Sequence, residues 1–170
     1  MTFTPELRRW LILDEGFVRH PYTDENSIWT FGVGHNLEAN PLPLNVLGML
    51  GSRSLVPLAF PQNLYLLQGV KIAPTASILK LLEDDVSALT FVPELPPGNQ
   101  PREDALMNMG FNLGGPTFGE FGTFLGKISA QDWNGAAEDL TGTLVYRQLP
   151  ERYGRIADTL RTNQYPPDLP

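Results

Sequence analysis

A chain of 170 residues, 42% of them apolar, can bury one sizeable core and, at ~100 to 200 residues per domain, reads as a single folding unit over 1–170. It holds no cysteine, which excludes disulfides, thiolate metal sites and a cysteine nucleophile. Nineteen acidic residues against twelve basic ones leave a net charge of −7, which speaks against nucleic acid and anionic membranes as partners.

Thr4 and Pro5 open a helix, because threonine caps free amides and proline at the first helical position gives up no donor that the helix needs. Leu7, Trp10 and Leu11 recur at helical spacing, predicting an amphipathic helix over 5–15 with Gly16 as its stop. From Tyr22 to Val33 the pattern turns to short β-prone pieces, with D-E-N-S as turn chemistry before a strand I-W-T-F-G-V. Residues 37–72 are punctuated by Pro41, Pro43, Pro57 and Pro61, and only a short helix near 44–50 is expected there. At Pro74 a helix begins whose Ile78, Leu81, Leu82, Val86 and Leu89 share one face, long enough to connect two lobes. P-E-L-P-P-G-N-Q-P, 93–101, is a proline-stiffened loop and the expected internal boundary. Beyond it, R-E-D-A-L-M-N-M-G-F-N-L predicts a helix ending at Gly114 and Gly115. D-W-N-G-A-A-E-D-L predicts another, capped by Ser129 with Asp132 three residues on, and the last runs from Pro150 to about Arg161. The arrangement is α+β, mainly helical with one small sheet near the N-terminus.

E-G-F-V-R-H-P-Y-T-D-E-N-S-I-W-T-F-G-V-G-H-N, residues 15–36, carries two carboxylates of different character. Hydrolysis of a glycosidic bond needs one acid to protonate the leaving oxygen and a second carboxylate on the opposite side. Glu15 has Leu11, Ile12, Leu13, Phe17 and Val18 as sequence neighbours, an apolar setting suited to holding a proton. Asp24 lies among Thr23, Glu25, Asn26 and Ser27, a polar setting suited to a charge. Two solvated acids are the commoner meaning of such a pattern when it stands alone.

The same stretch resembles the active-site segment of the T-even phage lysozyme family, a Glu-x8-Asp-x5-Thr arrangement closing in G-x-G-H. Glu15, Asp24 and Thr30 fall on its three functional positions without a gap, and Asp14 fits the family's D-E-G. L-M-N-M-G-F-N-L-G-G, F-G-T-F-L-G-K-I, D-W-N-G-A-A-E-D-L and Y-R-Q-L-P-E-R-Y-G-R-I-A-D-T-L-R-T resemble the family's C-terminal helices in order and spacing. The resemblance implies a lysozyme-like fold: a small β-containing lobe over about 16–72, a connecting helix over 74–90, and a helical lobe over 101–165 completed by helix 5–15, with the active-site cleft between the lobes. It implies a peptidoglycan hydrolase, a muramidase that cleaves the β-1,4 bond between N-acetylmuramic acid and N-acetylglucosamine without a cofactor. Glu15 would be its general acid, Asp24 its base or nucleophile, and Thr30 the residue that holds the water or lines the face of attack.

Further positions follow from the same resemblance. Arg152 matches an arginine that pairs with the catalytic glutamate from the other lobe, His35 and Asp85 match a structural pair, and Phe111 and Asn112 match positions facing sugar. Plainer alternatives stand beside them: a surface Arg152 answering Glu151 or Asp158, and Phe111 in the core. Trp10, Trp29 and Trp133 read as core. His20 has no matching role, and a metal site built on His20 and His35 lacks ligand spacing.

The chain departs from the family twice. The best-known members are basic whereas this chain is acidic, so weak binding to whole cells at low salt is expected. Residues 51–70 resemble an insertion of about ten residues, and they either add core to the small lobe or offer an apolar surface to a partner such as a virion protein. A virion-docked binding or structural module on a lysozyme fold is therefore one competing expectation. A lytic transglycosylase, which uses one glutamate without an essential aspartate, is another. The N-terminus lacks the basic leader and cleavage site of a signal peptide, and no run approaches the ~20 apolar residues of a membrane span. The expectation is a monomer made in the host cytoplasm that reaches the cell wall after release or inside a virion.

Overall fold

The computed structural model describes residues 3–170. Its elements are α1 (Pro5–Glu15), β1 (Val18–Thr23), β2 (Trp29–Gly32), β3 (His35–Asn36), α2 (Leu44–Met49), α3 (Gln62–Val70), α4 (Thr75–Ser87), α5 (Gln100–Gly119), α6 (Gly122–Ser129), α7 (Trp133–Thr141), α8 (Leu144–Gln148) and α9 (Pro150–Thr162). A three-stranded antiparallel sheet near the N-terminus and helices elsewhere make the chain α+β. It divides into two compact units: one holds the residues through Asp14 together with Val86–Pro170, the other Glu15–Asp85. The proline-rich loop expected as the boundary thus lies inside the first unit, and the divisions fall at 14/15 and within α4.

In the Glu15–Asp85 unit the sheet runs β1-β2-β3, with Tyr22 opposite Thr30, Thr23 opposite Trp29, and Phe31 opposite His35. The first strand begins at Val18, earlier than the β-prone pattern showed, because an irregularity between Val18 and Tyr22 breaks the alternation that would have revealed it. The third strand is only two residues long. Gly32 (φ 68) and Gly34 (φ 69) take the left-handed conformations that turn the chain from β2 into β3. Phe31, Leu37, Leu47, Leu67, Ile78 and Leu82 are buried within this unit.

No helix is expected from the sequence over 62–70, yet α3 buries Asn63, Leu64 and Leu67, which recur at helical spacing. The Asn63 side chain is satisfied there, since its amide donates to the Leu37 carbonyl at 2.8 Å. Residues 51–70 therefore split in character: α3 is core, while Leu55 is 90% and Val56 63% exposed at the tip of the preceding loop. α4 ends at Ser87, so Leu89, expected on its buried face, lies beyond it.

In the other unit, the Thr4 hydroxyl accepts from the Leu7 amide at 2.9 Å, capping α1, and donates to the buried Asp104 carboxylate. Asp104 also accepts from Gln100 at 2.9 Å and from the Tyr165 phenol at 2.8 Å. Gly114 breaks α5 (φ 70, ψ 163) where a stop was expected, but helix resumes beyond it through Pro116 to Gly119. α7 packs against α9 and α6, and α5 against α9.

The cap of α7 is Asp132, whose Oδ1 accepts from the Gly135 amide at 2.9 Å, and not Ser129 as expected. Ser129 instead closes α6, which falls on the F-G-T-F-L-G-K-I stretch that resembles a family helix, with its hydroxyl donating to the Leu125 carbonyl at 3.0 Å. A Cβ at position 135 would stand 2.0 Å from the Asp132 carboxylate, so glycine there permits this close cap. Trp10 is completely buried. Trp29 and Trp133 are only half-buried, contrary to a core reading, and the Arg102 guanidinium lies 4.4 Å over the Trp133 ring.

Candidate functional site

Asp24 stands at the turn between β1 and β2, its amide donating to the Ile28 carbonyl at 3.0 Å. Its Oδ1 accepts from the amides of Asn26 at 2.8 Å and Ile28 at 2.9 Å, the Asx geometry that D-E-N-S favours. Oδ2 accepts no hydrogen bond from the described residues. One oxygen thereby fixes the carboxylate's orientation. Thr30, 4% exposed in β2, donates its hydroxyl to the Ile28 carbonyl at 3.0 Å. With its proton committed, the hydroxyl presents lone pairs, the polarity that accepts a hydrogen bond from water.

Glu15 is the last residue of α1 and is half-buried, and Gly16 (φ 80) turns the chain away after it. Of its five apolar sequence neighbours only Leu11 is fully buried; Leu13 is 39% exposed, so the apolar enclosure expected from the sequence is partial. Glu15 and Asp24 share a neighbour in Tyr22. Burial first, then the charges of Glu15 and Asp24, push that phenol's pKa above its ordinary value.

His35 is 4% exposed, and its Nδ1 lies 2.8 Å from Oδ2 of Asp85, while Nε2 lies 3.3 Å from the Asn40 carbonyl. The pair ties β3 to α4. His20 is exposed. Among the described residues no group of three His, Cys, Asp or Glu side chains is gathered so as to hold a metal ion.

Arg152 is 6% exposed, which rules out the surface alternative. Its Nε donates to Asn108 Oδ1 at 2.9 Å and lies 3.6 Å from an Asp14 carboxylate oxygen. The Asp14 side chain is 1% exposed and accepts from Arg155 at 2.5 Å and from Asn108 at 2.9 Å. Asp14, Asn108, Arg152 and Arg155 thus form one buried polar cluster joining α1, α5 and α9. The signal was present in A-L-M-N-M, where an asparagine interrupts an apolar run on a helix face. Phe111 and Asn112 are half-buried, and Asn112 Oδ1 accepts from the Tyr153 phenol at 2.7 Å.

No helix among the described residues is long and apolar enough to cross a membrane. In a comparison with protein families, the family model described as phage lysozyme matches residues 13–148, a span that takes in Glu15, Asp24, Thr30, His35, Asp85, Phe111 and Asn112 and stops short of Arg152.

Proposed function

The chain belongs to the phage lysozyme family, muramidases that hydrolyse peptidoglycan, and from that premise we propose that Glu15, Asp24 and Thr30 carry out the hydrolysis. Glu15 donates its proton to the glycosidic oxygen as the bond to the anomeric carbon breaks and positive charge spreads to the ring oxygen. Asp24 acts from the opposite face, either taking a proton from the attacking water or bonding to the anomeric carbon itself. Thr30 holds the water by one of its protons. The observation that carries this reading is the Asp24 carboxylate, fixed through Oδ1 by two backbone amides with Oδ2 left unbonded. A carboxylate that only closed the turn would have no need of Thr30 beside it with its hydroxyl proton already committed.

The remaining assignments are readings of the same kind. Residues 1–170 act as one lysozyme domain, with 16–72 its β-containing lobe, α4 (Thr75–Ser87) its connecting helix, and 101–165 with 5–15 its helical lobe. Asn112, whose side-chain oxygen is occupied by Tyr153, turns its amide protons to the sugar, and Phe111 offers it a flat apolar face. Arg152 is read as a supporting residue, and the His35–Asp85 pair as structural.

Digestion of purified peptidoglycan in 18O-labelled water tests the reaction class. Hydrolysis places the label at a reducing muramic end, whereas transglycosylation gives unlabelled anhydro ends and would overturn the assignment. The anomer formed first, read by NMR, assigns the second role: inversion makes Asp24 the base to water, retention makes it the nucleophile.

A second reading, the same enzyme carried in a virion, draws on the exposure of Leu55 and Val56 at the tip of the inserted segment. On this reading the tip docks to a virion protein. Leu55→Ser with Val56→Ser then removes the protein from purified virions while leaving its hydrolysis of isolated peptidoglycan intact. Absence of the unaltered protein from virions would overturn it.

A further inference from the structure

We propose that Tyr22 is a further substrate-contacting residue of this site, its phenol O–H donating to an oxygen of the saccharide held against Glu15 and Asp24. The inference rests on the assignment of those two carboxylates above. Its starting point is the register of the hairpin. Tyr22 lies directly opposite Thr30 across the β1–β2 ladder, and residues so paired project from the same face with their Cβ atoms about 5 Å apart. Asp24, whose amide continues the ladder to Ile28, follows Tyr22 by two residues and so emerges on that face as well. Tyr22, Asp24 and Thr30 therefore form a row along one side of the hairpin.

The phenol itself is half-buried yet makes no hydrogen bond to any described residue. A tyrosine oxygen in that position ordinarily finds a partner. Glu15 and Asp24 are both near enough for their charges to oppose its ionisation, but it bonds to neither. Burial and those two charges keep the proton on the oxygen through neutral and mildly alkaline pH, which makes Tyr22 a dependable donor. A saccharide presents hydroxyl, ring and acetamido oxygens, all acceptors. A neutral phenol beside both carboxylates offers the saccharide a donor that does not depend on their protonation.

Tyr22→Phe removes the O–H and nothing else. Against soluble, uncrosslinked peptidoglycan fragments, kcat/KM falls about tenfold, the worth of one hydrogen bond to a neutral acceptor. The acid and base limbs of its pH profile stay where the unaltered enzyme has them, because Tyr22 acts on the sugar and not through the carboxylates. In a Glu15→Gln background, adding Tyr22→Phe weakens the Kd for tri-N-acetylchitotriose by a similar factor. A measurement on the unaltered sequence accompanies these: with 13C placed at Cζ of Tyr22, the resonance moves as the same saccharide is added. Unchanged kcat/KM in Tyr22→Phe, displaced limbs, or a Cζ resonance that stays still at saturating saccharide would each overturn the proposal. An unaltered enzyme inactive on peptidoglycan would instead overturn the function itself, so the two failures are distinguishable.

Discussion

Replacing Asp14 by Asn keeps the shape of the side chain and removes its charge, which isolates the electrostatic part of the buried cluster. Asp14 is 1% exposed at its side chain, with Arg155 at 2.5 Å and Arg152 at 3.6 Å. Removing one partner of a buried ion pair leaves the other charge without compensation and costs about 3–5 kcal/mol. Here Arg155 loses its nearer anion but is 19% exposed and partly answered by Asp168 at 3.2 Å, and Arg152 keeps its bonds to the Asn108 oxygens at 2.9 and 3.2 Å, so the lower end, about 3 kcal/mol, is expected. For a chain of this size each kcal/mol moves Tm by ~2–4 °C, so Asp14→Asn should melt roughly 6–12 °C lower. Circular dichroism with heating, and urea unfolding at fixed pH, read the change directly. Adding Arg155→Met to Asp14→Asn should recover part of the loss, because it withdraws the cation that Asp14 answered at 2.5 Å. A loss under ~1 kcal/mol in the single variant would refute the reasoning, since it would mean that the cluster is solvated in practice. Glu15 follows Asp14 directly in the chain, so anchoring Asp14 also fixes the backbone one residue before the proposed acid.

Asp104 gives a pH signature. Burial raises its pKa above the ordinary carboxylate value, Glu103 adds to the rise, and the hydrogen bonds from Thr4, Gln100 and Tyr165 oppose it. The native state thus holds this proton more tightly than the unfolded chain, so the contribution is fully present below about pH 4 and is lost as pH rises through the folded value. Asp104→Asn should remove that component, visible as a smaller difference between urea midpoints at neutral pH and near pH 4; an unaltered difference would contradict it. Gly32→Ala should cost about 1–3 kcal/mol, because the position has φ 68 and the new Cβ would lie 3.1 Å from Cγ2 of Ile78. A loss of a few tenths in urea unfolding would show that the turn accepts a side chain there.

Much of the helical framework was legible because its signals are local. Thr4-Pro5 and Gly16 bound α1 within a residue, and Pro150 opens α9 where expected. What escaped depended on partners distant in sequence. β1 is hidden because R-H-P-Y does not alternate, and it forms only against β2. α3 is hidden because Y-L-L, in a leucine-rich run between prolines, shows its buried stripe only once Leu37 accepts from Asn63 and Leu64 and Leu67 face the core. The cap of α7 was misplaced because Ser129 and Asp132 are both good caps, and the choice between them turns on where α6 ends. Of the proposed site, Glu15, Asp24 and Thr30 came from the resemblance of 15–36 to a family motif. The use of each Asp24 oxygen needed coordinates, as did the burial of Asp14 among Asn108, Arg152 and Arg155, to which α1, α5 and α9 all contribute.

Glu15 and Asp24 are proposed as the two working carboxylates of this peptidoglycan hydrolase. Initial rates of reducing-end release from purified peptidoglycan, measured side by side for the unaltered enzyme, Glu15→Gln and Asp24→Asn at equal folded concentration, test this most directly. Each variant should lose at least about a hundredfold in rate, the usual contribution of a positioned acid or base, while keeping the melting temperature within a few degrees. Unaltered turnover in Glu15→Gln would contradict the claim outright.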